Sequence, residues 1–160
     1  MIIRPSRPQR DNKEIIRLIR TELIPLSHTA NPNDKQTIRE LPRRLSEGTT
    51  FVAANNKWSS PYGFVHLGVK KDSLFIDMLA VDASHQGKRI GQSLMKHAED
   101  YGLKHKCNHA FLFVDEGNSR AHLFYTRLGY YSVKYYPNFR FFEMHKRLAA
   151  PLSNHLHRAF

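Results

Sequence analysis

Apolar residues recur along the chain at two spacings, and together these spacings predict alternating helices and strands. Recurrence every three to four residues predicts four amphipathic helices. Their apolar faces run over residues 15–26, 38–45, 90–101 and 121–128. Short apolar or alternating runs predict seven strands between them. These strands cover residues 1–6, 49–54, 61–69, 73–81, 109–114, 130–136 and 139–148.

Several local signals refine these elements. Asp11 and Glu14 have the spacing of a capping box, which predicts that the first helix begins at Asp11. Pro42 lies inside the second helix and is expected to kink or divide it. The apolar runs at 78–82 and 110–114 predict strands that are buried on both faces. Simple alternation places Asp77 and Leu79 on the same face of one strand.

The order of these elements, β-α-α-β-β-β-α-β-α-β-β, predicts a single α/β domain over residues 1–148. Its mixed central sheet has about seven strands and is flanked by about four helices, with residues 149–160 as a C-terminal tail. The tail contains His155 and His157, which are two metal-ligand types without a third partner in sequence. We therefore expect no metal site.

Composition limits the classes of protein that the chain fits. The formal net charge is +11 and the pI is about 10.0, but the basic residues are dispersed and no nucleic-acid-binding motif accompanies them. We expect no specific nucleic-acid partner. The single cysteine, Cys107, excludes an intrachain disulfide and favours a reducing, cytoplasmic location. No apolar run is long enough to span a membrane, and the N-terminus lacks the apolar core of a signal peptide.

The turn before the third helix has the chemistry of an anion site. It is polar, contains Gly87 and Gly91, and adds the cations Lys88 and Arg89 just where the helix begins. The first turn of a helix presents unpaired N–H groups, and the helix dipole favours negative charge there. Because glycine has no Cβ, the backbone there approaches a phosphate closely.

Two segments resemble the GNAT acetyltransferase superfamily. Residues 86–91, Gln-Gly-Lys-Arg-Ile-Gly, resemble its pyrophosphate loop, Gln/Arg-x-x-Gly-x-Gly/Ala, and residues 79–82 resemble its cofactor-binding strand. Residues 118–130 match its Asn-x-x-Ala-x-x-x-Tyr-x-x-x-Gly-Phe/Tyr segment position by position. One departure is Arg89, which stands where the family has its first loop glycine. An arginine there keeps its backbone amide facing the pyrophosphate if its φ stays negative and its side chain points outward.

The resemblance implies transfer of an acetyl group from acetyl-coenzyme A to a primary amine, by direct attack of the neutral amine. In this interpretation Tyr125 is the general acid that protonates the departing thiolate, and its alternative role is a core aromatic. Asp77 is the candidate base, and its alternative role is an aspartate paired with a basic residue. His66 is a weaker alternative base, and water alone is a further alternative. Glu22, His28 and His66 are weaker candidates for contact with the acceptor. The resemblance assigns cofactor binding to the following residues: Leu79, Ala80, Val81, Gln86, Gly87, Lys88, Arg89, Ile90, Gly91, Gln92, Asn118 and Ala121.

The acceptor and the assembly stay open at the level of sequence. A small molecule and a peptide both supply amines, and a monomer and a homodimer are equally compatible with the pattern. The competing class is a non-catalytic module on a GNAT-like fold, which binds coenzyme A or a nucleic acid without turnover.

Overall fold

A seven-stranded mixed sheet organises residues 1–27 and 35–149, the parts of the chain that the computed structural model describes. The strands are β1 (Ile2–Pro5), β2 (Thr49–Ala54), β3 (Gly63–Lys70), β4 (Ser73–Val81), β5 (His109–Asp115), β6 (Tyr131–Tyr136) and β7 (Phe141–Arg147). Their spatial order is β1-β2-β3-β4-β5-β7-β6, and only β4 and β5 pair in parallel. The predicted fold class is therefore confirmed.

Four α-helices cover the two faces of this sheet. They are α1 (Pro8–Leu18), α2 (Lys35–Ser46), α3 (Ile90–Lys104) and α4 (Ser119–Arg127). The apolar residues of α1 and α2 share one buried cluster with Val52, Phe64 and Met78. Residues of α3 share a second cluster with Val65, Leu74 and Leu112, and α4 packs against that cluster. The sheet thus lies between two helical layers, as expected for an α/β domain.

The start of α1 corrects the predicted capping box. The helix begins at Pro8, whose missing N–H costs nothing at the first helical position. Asp11 is therefore inside the first turn, where its Oδ2 accepts hydrogen bonds from the Arg7 backbone N–H and from the Arg4 guanidinium, both at 2.7 Å. Burial alone would raise the pKa of Asp11, but the hydrogen bonds and charges of Arg4 and Arg7 lower it below its usual value.

Pro42 does not divide α2, so that part of the prediction is wrong. The helix runs unbroken from Lys35 to Ser46. Leu41 and Leu45 flank the proline, and both are buried against the sheet. A proline removes one helical hydrogen bond, and anchoring on both of its sides holds the helix together across that loss.

The parallel pair β4–β5 separates after a short stretch of pairing. Its register joins Ser73 to His109 and ends where Phe75 faces Phe111. From Ile76 onward β4 stays paired with β3, while β5 stays paired with β7. The two halves of the sheet therefore diverge, and a gap opens between the C-terminal ends of β4 and β5.

A bulge in β4 corrects the predicted alternation. Leu67 of β3 faces Ile76, whereas the preceding His66 faces Met78, so Asp77 is an extra residue in the ladder. Asp77 consequently reaches Arg44 of α2, while Leu79 packs against the cluster beneath α3. The two side chains do not share a face as alternation predicted.

The prediction that β4 and β5 are buried on both faces is also wrong. Leu79 and Val81 are only half-buried, although Met78 and Ala80 between them are buried. On β5, Phe113 keeps 40% of its surface exposed. On β4, Leu79 and Val81 pack only partly against the cluster beneath α3, and on β5 the face that carries Phe113 is left partly open.

Some predictions fall outside the described residues. His28, His155 and His157 are among these, as is nearly all of the proposed tail, so the domain boundary at residue 148 stays a prediction. Within residues 1–27 and 35–149, no helix has the length and apolar character needed to cross a membrane.

Candidate active site

The gap between β4 and β5 is the floor of a cleft of about 1190 Å³. On one side lie residues 86–92 and 118–125, which we call the loop wall. On the other lie four phenylalanines, which we call the aromatic wall: Phe75, Phe113, Phe139 and Phe141. Pockets for drug-sized ligands occupy about 300–1,000 Å³. This cleft is therefore large enough for a ligand bigger than a typical metabolite.

The loop that leads into α3 is held by side chains at both of its ends. Asp82 accepts hydrogen bonds from the Ser84 backbone and side chain and from Arg17. These bonds lower the pKa of Asp82, with that from the Ser84 hydroxyl contributing most. Farther along, Gln86 donates its side-chain amide to the Val81 carbonyl at 2.9 Å and to Glu22 at 3.3 Å. The loop is thus tied to the end of β4 before the helix begins.

Arg89 turns the chain into α3 in a left-handed conformation. Its φ is +61°, and it is the N-cap residue of the helix. The condition of a negative φ is therefore not met, although the side chain is exposed. The turn itself demands a left-handed residue here, which accounts for the glycine in the related loops. An L-residue pays about 1–2 kcal/mol for that conformation.

Gly91 lies where the first turn of α3 meets α4. A Cβ at this position would lie 3.3 Å from the Phe124 ring, which is closer than ordinary van der Waals contact. A small residue therefore lets the helix start approach α4 closely. The N–H groups of this turn have no helical acceptor, so they are available to an anion in the cleft.

Tyr125 is held in the cleft by a helix with defined ends. The Oδ1 of Asn118 caps α4 by accepting the Ala121 N–H at 3.2 Å, and Gly129 ends the helix at a φ of +97°. The Tyr125 ring is half-buried, with edge-to-face contacts to Phe124 and Tyr130 at 5.1 and 5.9 Å between centroids. Burial raises the pKa of the Tyr125 hydroxyl. The group therefore stays protonated at neutral pH and is available as a donor.

Asp77 is the bulge residue of β4, and its carboxylate is ion-paired. Arg44 donates two hydrogen bonds to it, at 2.6 and 3.2 Å. The Nε2 of His66 lies 3.7 Å away, and its Nδ1 is 2.8 Å from the Thr50 hydroxyl. Burial lowers the pKa of His66, as does the positive charge of Arg44, while Asp77 opposes the change. His66 is therefore neutral at neutral pH.

The structure brings most of the predicted site residues into this one cleft. Those that line it are Glu22, Asp77, Leu79, Ala80, Val81, Gln86, Gly87, Arg89, Ile90, Gly91, Gln92, Asn118, Ala121 and Tyr125. Of the predicted site residues that the structure describes, two are not among its lining. Lys88 is exposed beside the loop, and His66 is buried behind Asp77 with 4% of its surface exposed.

The cleft also contains residues that the sequence did not indicate. Arg44 comes from α2, Arg120 and Arg127 come from α4, and the aromatic wall comes from β4, β5, β7 and the turn before β7. Apart from the two arginines beside the Tyr125 motif, no local pattern marks these positions, since they converge only through the fold. Glu22, which was a predicted candidate, reaches the loop from a π-helical turn at Ile19–Leu23 that continues α1.

The chain matches the family model described as the acetyltransferase (GNAT) family over residues 13–130. This match covers well over half of the chain, and the fold and the two motifs agree with it. The protein therefore belongs to the acetyltransferase (GNAT) family.

Individual relatives are more distant. Streptothricin acetyltransferase of Streptomyces lavendulae is 30% identical over 86 residues, which are 53% of this chain and 46% of that protein. The matched part thus spans about half the length of this curated relative.

Solved structures show the same fold at low sequence identity. The PaiA N-acetyltransferase of Thermoplasma acidophilum, in complex with coenzyme A, has a TM-score of 0.74 and 18% identity, covering 91% of this chain and 98% of its own. An aminoglycoside 6'-N-acetyltransferase, also with coenzyme A, has a TM-score of 0.76 and 16% identity, covering 96% of this chain and 100% of its own.

Proposed function

We propose that this protein is an N-acetyltransferase that uses acetyl-coenzyme A and a primary amine, the amine being part of a small molecule or a peptide. One observation carries the proposal: a single cleft combines the unpaired edge of β4, an anion-binding turn and a protonated tyrosine. Each feature meets one need of acyl transfer from a thioester that bears phosphate groups.

The residues of the cleft fit coenzyme A in shape and charge. The backbone N–H groups of residues 90–92 form the anion cradle, and Arg89 and Lys88 add positive charge beside it. The edge of β4 that faces β5 is unpaired after Phe75, which leaves backbone groups for an extended arm. Asn118 uses Oδ1 for the helix cap, so its amide N–H groups stay available. Acetyl-coenzyme A supplies the acyl group as an activated thioester.

Tyr125 is the proposed general acid. Its hydroxyl lies in the cleft and is protonated at neutral pH like that of an ordinary tyrosine, and burial raises its pKa further. A proton delivered to sulfur makes the thiol a better leaving group than the thiolate. A positioned general acid contributes about 10²–10⁴ in rate.

Asp77 is the proposed base for the acceptor amine. Its side chain lies in the cleft with 12% of its surface exposed, so it receives a proton from the incoming ammonium directly or through a water molecule. The two bonds from Arg44 orient the carboxylate, and His66 supports it from behind. Water as the sole proton acceptor is the alternative, and the aspartate variants discussed below separate the two.

The proposal is tested by binding and turnover together. Acetyl-coenzyme A at a hundred times its dissociation constant should stabilise the protein by about 2.7 kcal/mol, and pantetheine without phosphates should stabilise it much less at equal concentration. Release of free thiol with a panel of amines should then follow. Binding without thiol release on a broad panel would favour the non-catalytic module, and no thermal shift at millimolar cofactor would overturn the proposal.

A further inference from the structure

The aromatic wall determines which amines the cleft accepts. Resting on the proposed function, we propose that the acceptor is an amine carried on an aromatic or similarly flat apolar group. That group packs against Phe75, Phe113, Phe139 and Phe141, and the amine points towards Asp77 and Tyr125.

The wall is a connected network of rings. Phe113 contacts Phe141 edge-to-face at 4.7 Å between centroids and Phe75 at 5.9 Å. Phe139 contacts Phe141 at 5.6 Å. Two further rings support them from the side: Phe111 stacks on Phe75 at 4.9 Å, and Tyr136 stacks on Phe141 at 5.2 Å. Because neighbouring rings already hold these side chains in place, the side chains lose little conformational freedom when a flat ligand packs on them.

This surface is open because the helices that share its side of the sheet lie elsewhere. The helices α1 and α2 pack on β2, β3 and the end of β4, so they leave the Phe113 face of β5 and β7 uncovered. Phe113 and Phe139 keep 40% and 55% of their surfaces exposed. The surface is continuous with the reaction centre, since Phe75 is two residues before Asp77 on β4.

The charges in the cleft argue against an acceptor that carries several ammonium groups. Three carboxylates are among the described lining residues: Asp77 is paired with Arg44, Glu22 accepts a hydrogen bond from Gln86, and Asp115 is the last residue of β5. Four arginines line the same cleft: Arg44, Arg89, Arg120 and Arg127. Their field opposes additional positive charge on the acceptor and favours the neutral form of its amine. Apolar contact is then the available source of affinity.

A second copy of the chain is the other occupant that an apolar surface suggests. Each copy carries a formal net charge of +11, so two copies repel each other. The two well-exposed rings of the wall, Phe113 and Phe139, border a cleft and do not form a flat face. A stable dimer needs about 800 Å² on each partner. The wall is better matched to one flat group than to a subunit.

The first test compares acceptors with the unmodified protein and saturating acetyl-coenzyme A. We use 4-phenylbutylamine, hexylamine, spermidine and a short peptide whose first residue is phenylalanine, and we measure kcat/KM by thiol release. The aryl amine should exceed hexylamine about tenfold, which is the upper end of what an aromatic contact adds beyond its area, and should exceed spermidine by more. The peptide arm shows whether the aromatic group comes from a small molecule or from a first residue.

The second test changes the wall. Phe113→Leu and Phe139→Leu keep apolar bulk but remove a ring, so KM should rise for 4-phenylbutylamine and change little for hexylamine. Tyr131→Leu is the matched control, because Tyr131 is 59% exposed on β6 and does not line the cleft. This control should leave both KM values unchanged.

Each outcome supports or overturns the aromatic acceptor site, the proposed function, or both. Equal kcat/KM for the aryl amine and hexylamine, or a preference for spermidine, overturns the inference while the proposed function stands. A further outcome is that acetyl-coenzyme A binds while no amine is turned over; thermal stabilisation of the coenzyme A complex by 4-phenylbutylamine then replaces turnover as the measurement. Saturable stabilisation that Phe113→Leu weakens supports the aromatic site. No stabilisation overturns the inference of an aromatic site. A homodimer in light scattering that Phe113→Leu and Phe139→Leu dissociate would also overturn it. Failure to bind acetyl-coenzyme A removes the proposed function and this inference with it.

Discussion

The two walls of the cleft are built in different ways. The loop wall comes from two continuous segments, and it presents mainly backbone groups whose direction is set by Arg89, Gly91 and the start of α3. The aromatic wall comes from β4, β5, β7 and the turn before β7, and it presents side chains. Backbone recognition tolerates many sequences, whereas side-chain recognition changes with each substitution. The first wall therefore suits a ligand shared by a whole family, and the second suits a ligand particular to this chain.

The largest expected effect tests whether the loop wall also supplies chemistry. Tyr125→Phe keeps the ring and its contacts but removes the hydroxyl. If this hydroxyl acts only in the transition state, saturated turnover should fall by about 10²–10⁴ while coenzyme A affinity changes little. Steady-state kinetics with a coenzyme A titration measures both quantities.

The matched control is Tyr130→Phe, which removes the neighbouring hydroxyl. The Tyr130 ring contacts Tyr125, its residue is 2% exposed, and its hydroxyl has no hydrogen-bond partner in the described structure. Turnover should stay close to that of the unmodified protein, and stability should not fall, because removing an unpaired buried polar group relieves a desolvation cost. Equal losses of turnover in both variants would mean that packing around Tyr125, and not its hydroxyl, sets the rate.

The second-largest expected effect concerns Asp77, the proposed base for the acceptor amine. If its carboxylate takes the ammonium proton, Asp77→Asn should lower kcat/KM about 10²-fold, the lower end of the range for a positioned base. The loss should shrink as the pH rises towards the pKa of the acceptor, since a larger fraction of the amine is then already neutral. A pH profile of kcat/KM measures this directly.

Asp100→Asn is the control for Asp77→Asn. Asp100 is also ion-paired, with Lys96 on the surface of α3, and it does not line the cleft between β4 and β5. Its replacement should leave the pH profile unchanged. A profile for Asp77→Asn that runs parallel to that of the unmodified protein would assign the proton to water.

Sequence patterns predicted the loop wall well because its determinants are local. The spacing of Asn118, Ala121, Tyr125 and Gly129 lies within one helix and its two ends, with Asn118 as the cap and Gly129 as the left-handed residue after the helix. The strand at Ser73–Val81 was predicted with its observed bounds for the same reason. Local periodicity suffices wherever one segment determines its own geometry.

The errors have non-local causes. The bulge at Asp77 exists only in the pairing of β4 with β3, so alternation within β4 could not reveal it. Phe113 lies in a continuous apolar run, and it is partly exposed because α1 and α2 pack elsewhere on the sheet. The positive φ of Arg89 was not predicted, because an arginine usually has a negative φ, whereas the turn before α3 requires a positive one. The aromatic wall was missed altogether, since its members come together only in the folded sheet.

A smaller effect measures the electrostatics of the loop wall. Gly91→Asp places a negative charge at the anion cradle, and this repulsion at a partly solvated site costs about 2 kcal/mol, or about 30-fold in the dissociation constant of coenzyme A. Gly91→Asn adds the same bulk against Phe124 without the charge, so it reports the steric part alone. Calorimetric titration of both variants separates the two contributions. Equal affinity in Gly91→Asp and the unmodified protein would place the phosphates elsewhere.

The smallest expected effect isolates the backbone of the loop wall from its side chains. Arg89→Gly removes a side chain that is exposed and replaces a left-handed L-residue with the residue best suited to a φ of +61°. Relief of the left-handed conformation contributes about 1–2 kcal/mol, and the greater freedom of glycine in the unfolded chain offsets part of it. We expect a net gain of about 1 kcal/mol in the free energy of unfolding, measured by denaturant titration.

Lys88→Gly is the control for this last change. Lys88 is also exposed and basic, but it has no positive φ, so glycine there brings only the entropic cost and should not stabilise. Both variants lose one positive charge near the cradle, and their coenzyme A affinities should fall by similar small amounts. If Arg89→Gly instead loses affinity far more than Lys88→Gly, the arginine side chain itself binds a phosphate. The loop wall would then share the side-chain dependence of the aromatic wall, and the contrast between the two walls would narrow.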